Sequence, residues 1–228
     1  MKNLKLRSTR SDMRKVKPED EIPVWILEPD AIAAKINYFD TKRTEAPDTK
    51  LAQQEMIEYV ESLNNSSVDT DAWVAKTHQL ADRFMVELKD YIVCRKGCAH
   101  CCKLPVGMTL FEASYIEGKT GRKYNRKAKE ILNIQPNKHN TTVCPFLDTK
   151  TATCSIYEYR PLACRMFATI DDYHFCEDDT NTHAIVTTES SQAFQYSTAT
   201  MIMAIKQNSK KHGKPLAAFS ELRKWFTS

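Results

Sequence analysis

Residues 94–102 read Cys-Arg-Lys-Gly-Cys-Ala-His-Cys-Cys, so four of the eight cysteines of a 228-residue chain fall within nine positions. Cys94, Cys98, Cys101 and Cys102 form this cluster. Cys144, Cys154, Cys164 and Cys176 follow downstream, and no cysteine precedes residue 94. Thiolates gathered this densely are soft, polarisable ligands that select zinc, copper(I) or iron–sulfur clusters. Spacings of two or three residues let one turn of backbone aim two sulfurs at one point. Gly97 stands where such a turn needs a residue free of Cβ strain. The cluster predicts a metal-binding module and leaves the choice of metal open.

Eight is an even number, so disulfides are the competing reading. A secreted disulfide scaffold would normally carry an apolar signal segment, and the basic N-terminus lacks one. No apolar run approaches the ~20 residues that a membrane span needs. The expectation is a cytoplasmic protein with no membrane partner, in which thiols stay reduced. Adjacent Cys101 and Cys102 are also awkward bridge partners. A formal net charge of +4 is too mild to imply nucleic acid by itself, and five glycines argue against a Gly-rich nucleotide cradle. Residues 1–22 do concentrate positive charge over residues 1–17, where Lys2, Lys5, Arg7, Arg10, Arg14, Lys15 and Lys17 face Asp12 alone. Such an arm could hold a nucleic acid. No aromatic ring is interleaved with the charges for base stacking, which favours a flexible, solubilising tail.

The remainder, residues 23–228, predicts a single, mainly α domain with the cysteine module embedded at about 91–180. Ile22 to Leu27 is short and β-prone, with Pro23 limiting it to an edge or extended segment. Asp30 is a candidate cap for a helix carrying Ile32, Ile36 and Phe39, and Asp48 for one carrying Leu51, Met56, Tyr59 and Val60. From about Asp71 to Val93, Trp73, Leu80, Ala81, Phe84, Leu88, Tyr91 and Ile92 recur at helical spacing. That helix is expected to deliver Cys94 from its C-terminal end, with His78 a core or surface residue. Thr109 and Glu112 have capping-box spacing, and Gly118 and Gly121 are candidate stops. Residues 119–130 predict a basic, solvated helix. Two further helices are expected over Ser190–Gln207 and Pro215–Phe226, separated near Gly213.

The downstream cysteines fall on small elements. Val143–Asp148 and Ala152–Tyr157 read as two short strands joined at Thr149–Thr151, a hairpin able to bring Cys144 near Cys154. Pro161 suits the first position of a short helix, which puts Cys164 where the helix N-terminus, with Arg160 or Arg165, would favour a thiolate. The acidic stretch Asp171–Asp179 contains His174 and Cys176, which form a second tier of candidate ligands.

These segments resemble the YkgJ-type cysteine-cluster family, described as zinc- or iron-chelating. The shared pattern is Cys94-x3-Cys98-x2-Cys101-Cys102, Cys144-Pro145-Phe146-Leu147, Cys154-Ser155-Ile156-Tyr157 and Arg160-Pro161-Leu162-Ala163-Cys164-Arg165. The resemblance covers about residues 91–168. It implies that these cysteines form one module chelating iron, favoured as an iron–sulfur cluster, or zinc. It also implies an alternative, a metal-dependent protein- or RNA-modifying enzyme similar to flagellin lysine N-methylases, although no methyl-donor motif accompanies the module. The Cys94–Cys98–Cys101 spacing is also that of radical S-adenosylmethionine enzymes, but the β/α repeats those enzymes need are missing after residue 101. A lone nucleophilic cysteine activated by His100 fits poorly with eight thiols.

Overall fold

The computed structural model describes residues 41, 46–63, 68–89, 92–94, 97–132, 134, 142–170, 176, 185–211 and 217–227. The expected basic arm, the segment at 22–27, the helix after Asp30 and His174 lie outside the described residues. The chain is mainly helical, with small antiparallel strand pairs, as expected.

Helix α1 spans Pro47–Ser62, with Pro47 in its first turn and Ala46 as an N-cap that makes no side-chain bond. Asp48 lies in the first turn rather than at the cap. Thr49, Ala52, Met56 and Val60 form the buried stripe. Leu51, expected on that face, is 47% exposed. A helix advances about 100° per residue, so a stripe through Ala52 turns its neighbour Leu51 outward.

Helix α2, Thr70–Val86, starts where its cap dictates: the Asp69 carboxylate accepts from Asp71 N (3.0 Å) and Ala72 N (3.1 Å). It ends at Val86, well short of the expected Val93. Leu88 and Val93 stay buried without being helical. The Val93 N–H donates across the fold to the Thr169 carbonyl at 2.9 Å, and Cys94 follows outside any helix. The apolar pattern was right about burial here and wrong about backbone.

Helix α3, Leu110–Thr120, carries the capping box in full. Glu112 N donates to Thr109 Oγ1 (3.3 Å) and Thr109 N donates to Glu112 Oε2 (2.8 Å). Gly121, at φ 73°, closes it in the left-handed region; Gly118 stays inside the helix. The basic helix expected at 119–130 does not form. Glu117 draws the chain back over the helix end by accepting from Tyr124 N (3.0 Å) and pairing with Arg126 (2.9 Å) and Lys123 (3.1 Å).

Strand β1, Gly107–Thr109, precedes α3; β2, Leu147–Asp148, and β3, Thr153–Cys154, form the expected hairpin, shorter than anticipated. Asp148 closes its turn by accepting from Lys150 N (2.9 Å) and Thr151 Oγ1 (2.7 Å). Pro161 is the N-cap of α4, Leu162–Met166, one position before the first helical residue. Strand β4, Ala168–Thr169, pairs with β5, Ile185–Val186, and α5 follows over Gln192–Lys211. The last expected helix is only partly one. Phe219–Glu221 form β6, antiparallel to β1, and only α6, Leu222–Trp225, is helical. Gly107 matters here, because a Cβ at that position would collide with the Phe219 ring.

Two apolar clusters flank the cysteines. One gathers Trp73, Phe84, Met166 and Phe194 from α2, α4 and α5. The other gathers Met108, Ile116, Phe146, Trp225 and Phe226. Each fully buried large side chain contributes about 1.5–3 kcal/mol, so these clusters can hold the scaffold while the small elements between them present sulfur.

Candidate metal centre

Each cysteine stretch has its own local device. Cys94 Sγ accepts from Thr169 N at 3.3 Å. Gly97, at φ 90°, turns the chain as expected. Cys101 and Cys102 sit in the 3₁₀ turn His100–Lys103, where Cys102 N donates to the Ala99 carbonyl (3.0 Å). The Cys102 carbonyl in turn accepts from Cys144 N at 2.8 Å, joining the cluster to the chain that enters the hairpin. Cys154 pairs with Leu147 in the β2–β3 ladder. Cys164 lies in the first turn of α4, its N–H on the Pro161 carbonyl (2.9 Å).

Cys94, Cys98, Cys101, Cys102, Cys144, Cys154 and Cys164 all line one open cleft of about 1440 Å³. Cys176 is buried and does not line it. None of the eight cysteines is in a disulfide. Cys101 feels the charge of Cys94, Cys102 and Cys164; Cys164 feels Cys102, Cys144 and Cys154. Among the described residues, no three or more His, Cys, Asp or Glu side chains already stand as a set able to hold a metal ion. The seven thiols share the cleft without forming such a set.

Without a cation the cleft suppresses ionisation. Burial pushes the Cys144 thiol up to about 11 and raises Cys154 and Cys164 as well, Cys164 strongly. Arg160 does favour the Cys164 thiolate, as the sequence suggested, but desolvation outweighs it and raises the thiol. In the adjacent pair, the Cys101 thiol donates to Cys102, which raises Cys101 and lowers Cys102; Arg223 lowers Cys102 further. The neighbouring Phe146 and Ile156 amides favour the charged forms of Cys144 and Cys154, but less than burial opposes them. The donor chemistry fits a soft metal, because thiols too buried to ionise alone ionise when a cation replaces the proton.

The cations facing the sulfurs are Arg160, which acts on Cys154 and Cys164, and Arg223, which acts on Cys102 and Cys144. Arg160 stacks on the Tyr157 ring, 3.9 Å from its centroid, at the cleft lining. Arg165, considered from sequence as a charge neutraliser, binds Asp82 through Nη1 (2.7 and 2.9 Å) and donates to the Arg160 (3.1 Å) and Glu158 carbonyls. It ties α4 to α2.

At the cleft lining, Glu112 does more than cap α3. Its Oε1 also accepts from Leu162 N at 2.8 Å, which fastens the start of the helix that carries Cys164. Burial opposes its charge, but His78 and the Thr109 and Leu162 amides outweigh burial and keep the carboxyl low. His78 is buried, as expected for a core histidine, 4.0 Å from Glu112, and burial holds it below its ordinary value. Sequence reasoning missed Arg223 and Asp82. Their partners lie about 80 to 120 residues away, and no local spacing signals such contacts.

Residues 93–198, just under half of the chain, match the CxxCxxCC family, whose description is “Putative zinc- or iron-chelating domain”. That match agrees with the family resemblance read from the sequence. No curated protein and no solved structure shows a significant match to the chain. Among the described residues, no helix is long and apolar enough to cross a membrane.

Proposed function

We propose that the chain binds metal in a thiolate centre built from Cys94, Cys98, Cys101, Cys102, Cys144, Cys154 and Cys164, with an iron–sulfur cluster favoured over zinc. The observation that carries this reading is that all seven line one cleft and none is in a disulfide. Seven thiols exceed the four ligands of a single structural zinc, so a polynuclear cluster or a pair of centres uses the set better. The Thr169 N–H···S contact on Cys94 supports it further, because hydrogen bonds to sulfur set the potential of iron–sulfur sites. An iron–sulfur cluster would supply electron transfer, and zinc would supply a redox-inert staple. Either is consistent with a reduced cytoplasmic setting.

The modifying-enzyme alternative gains nothing from the comparisons. The cleft that it would need is lined by Tyr157, Arg160 and Arg165, but the Arg165 guanidinium is already engaged by Asp82. Anaerobic purification followed by elemental analysis and a visible absorption spectrum tests the proposal. Iron with acid-labile sulfide and a sulfur-to-iron charge-transfer band is the expected result. Stoichiometric zinc in a colourless protein would replace the cluster with a zinc centre. Protein that takes up neither metal would overturn the reading.

A further inference from the structure

The strongest tie between the two halves of the cysteine cleft comes from outside the residues that match the family. Arg223 lies in α6, beyond residue 198, and its side chain is only 11% exposed. Its Nη2 donates to the Cys102 carbonyl at 2.6 Å and its Nη1 to the Leu104 carbonyl at 3.1 Å. Its Nε donates to the Thr142 carbonyl at 3.0 Å, two residues before Cys144. One planar guanidinium thus grips the vicinal-cysteine turn and the chain that enters the hairpin. The Cys102 carbonyl serves both partners, because it also accepts from Cys144 N at 2.8 Å.

Arg223 is itself held. Glu221 Oε1 pairs with Nη1 at 2.6 Å, and Glu221 Oε2 caps α6 by accepting from Arg223 N at 2.8 Å. Glu221 belongs to β6, which is paired with β1 directly after the cluster. Leu222 N donates to the Val106 carbonyl (2.8 Å), and Trp225 Nε1 donates to the Met108 carbonyl (3.3 Å). The C-terminal segment, whose Phe219 and Leu222 line the cleft, is therefore anchored by strand pairing and a buried tryptophan, with Arg223 clamping the cysteine turn.

We infer that Arg223 is a positioning residue for the metal centre: its fork holds the Cys101–Cys102 turn against the Cys144 segment before metal arrives. The inference rests on the metal-binding reading for its consequence and on the hydrogen-bond geometry for its mechanism. Lysine keeps the charge but presents a point donor instead of a planar fork, so Arg223→Lys separates charge from clamping.

The test uses reduced, metal-free full-length protein in three forms: wild type, Arg223→Lys and Arg223→Met. Hydrogen exchange at the Cys144 amide reads the clamp directly. Competition with a chromophoric chelator for zinc, used as the probe, reads its consequence. The expected result is at least tenfold faster Cys144 exchange in both variants with α2 amides unchanged. The zinc affinity should fall about ten- to a hundredfold, the range usual for partners that orient ligands. The unchanged α2 amides guard against mistaking global unfolding for the effect. Wild-type exchange at Cys144 in the Met variant, or full restoration of exchange and affinity by lysine, would overturn the inference. If wild-type protein takes up no zinc and no iron, the metal-binding reading fails, and Cys144 exchange alone decides whether Arg223 is a clamp.

Discussion

Glu112 shows how much one side chain can organise. It closes the α3 capping box and also accepts from Leu162 N (2.8 Å), at the start of the helix that carries Cys164. Replacement by alanine strands buried donors at Thr109 and Leu162, each costing about 1–3 kcal/mol when unsatisfied. Glu112→Ala should therefore destabilise the protein by about 3 kcal/mol in chemical denaturation and lower metal content. Glu112→Gln retains the acceptor and should cost about half as much. Equal stability of the alanine variant and wild type would contradict this role. Cys144 gives a pH prediction. Its folded value is about 11, above the ordinary thiol value of 9.0, so the folded metal-free state holds that proton more tightly than the unfolded chain. The resulting stability is fully present below about pH 9 and is lost as pH rises towards about 11. Denaturation of the metal-free protein across that window should show the decline, and Cys144→Ser should flatten part of it. A variant with the same alkaline decline as wild type would remove Cys144 from the account. The sign reverses for metal uptake, which displaces protons and weakens as pH falls.

At the scale of elements, what could be read from the sequence was what neighbouring residues determine among themselves. Thr109 with Glu112 starts α3, Gly121 ends it, and the β2–β3 hairpin forms around the turn that Asp148 closes. The end of α2 was not legible, because Val93 takes its partner from Thr169 in β4. Nor was β6: Phe219 suits one helical face with Leu222, Trp225 and Phe226, but strand β1 takes Phe219–Glu221 into a ladder. The cysteine motifs were legible as one module, since their order and spacing mark it. Arg223 was not, because its contacts exist only after the chain has closed on itself. The small elements also carry a prediction. Two-residue strands and a five-residue helix are marginal alone, whereas α2 is packed in the larger cluster. Removing the metal should increase protease cleavage within about residues 94–168, outside the Arg223-held contact of Cys102 with Cys144, and leave α2 protected. Cys98→Ser and Cys164→Ser should each lower metal content and mimic that pattern. Unaltered protease resistance after complete metal removal would mean that the cysteines act as ordinary packed thiols.

On the scale of the whole molecule, helices and apolar clusters hold a frame, and the cysteine segments meet in the cleft between them. On the proposed reading, that division separates stability from function: the frame would stand without the metal, and the metal would complete the cleft. The central claim is that cysteines from separate stretches serve one centre. Residue-resolved alkylation of the anaerobically purified, metal-loaded protein, before and after chelation, tests it most directly. The account predicts that Cys94, Cys98, Cys101, Cys102, Cys144, Cys154 and Cys164 resist alkylation together while metal is bound and become reactive together when it is removed. Cys176, which lies off the cleft, should not follow them. Alkylation of the 144–164 cysteines at the same rate with and without metal, while only the 94–102 cluster is protected, would contradict it.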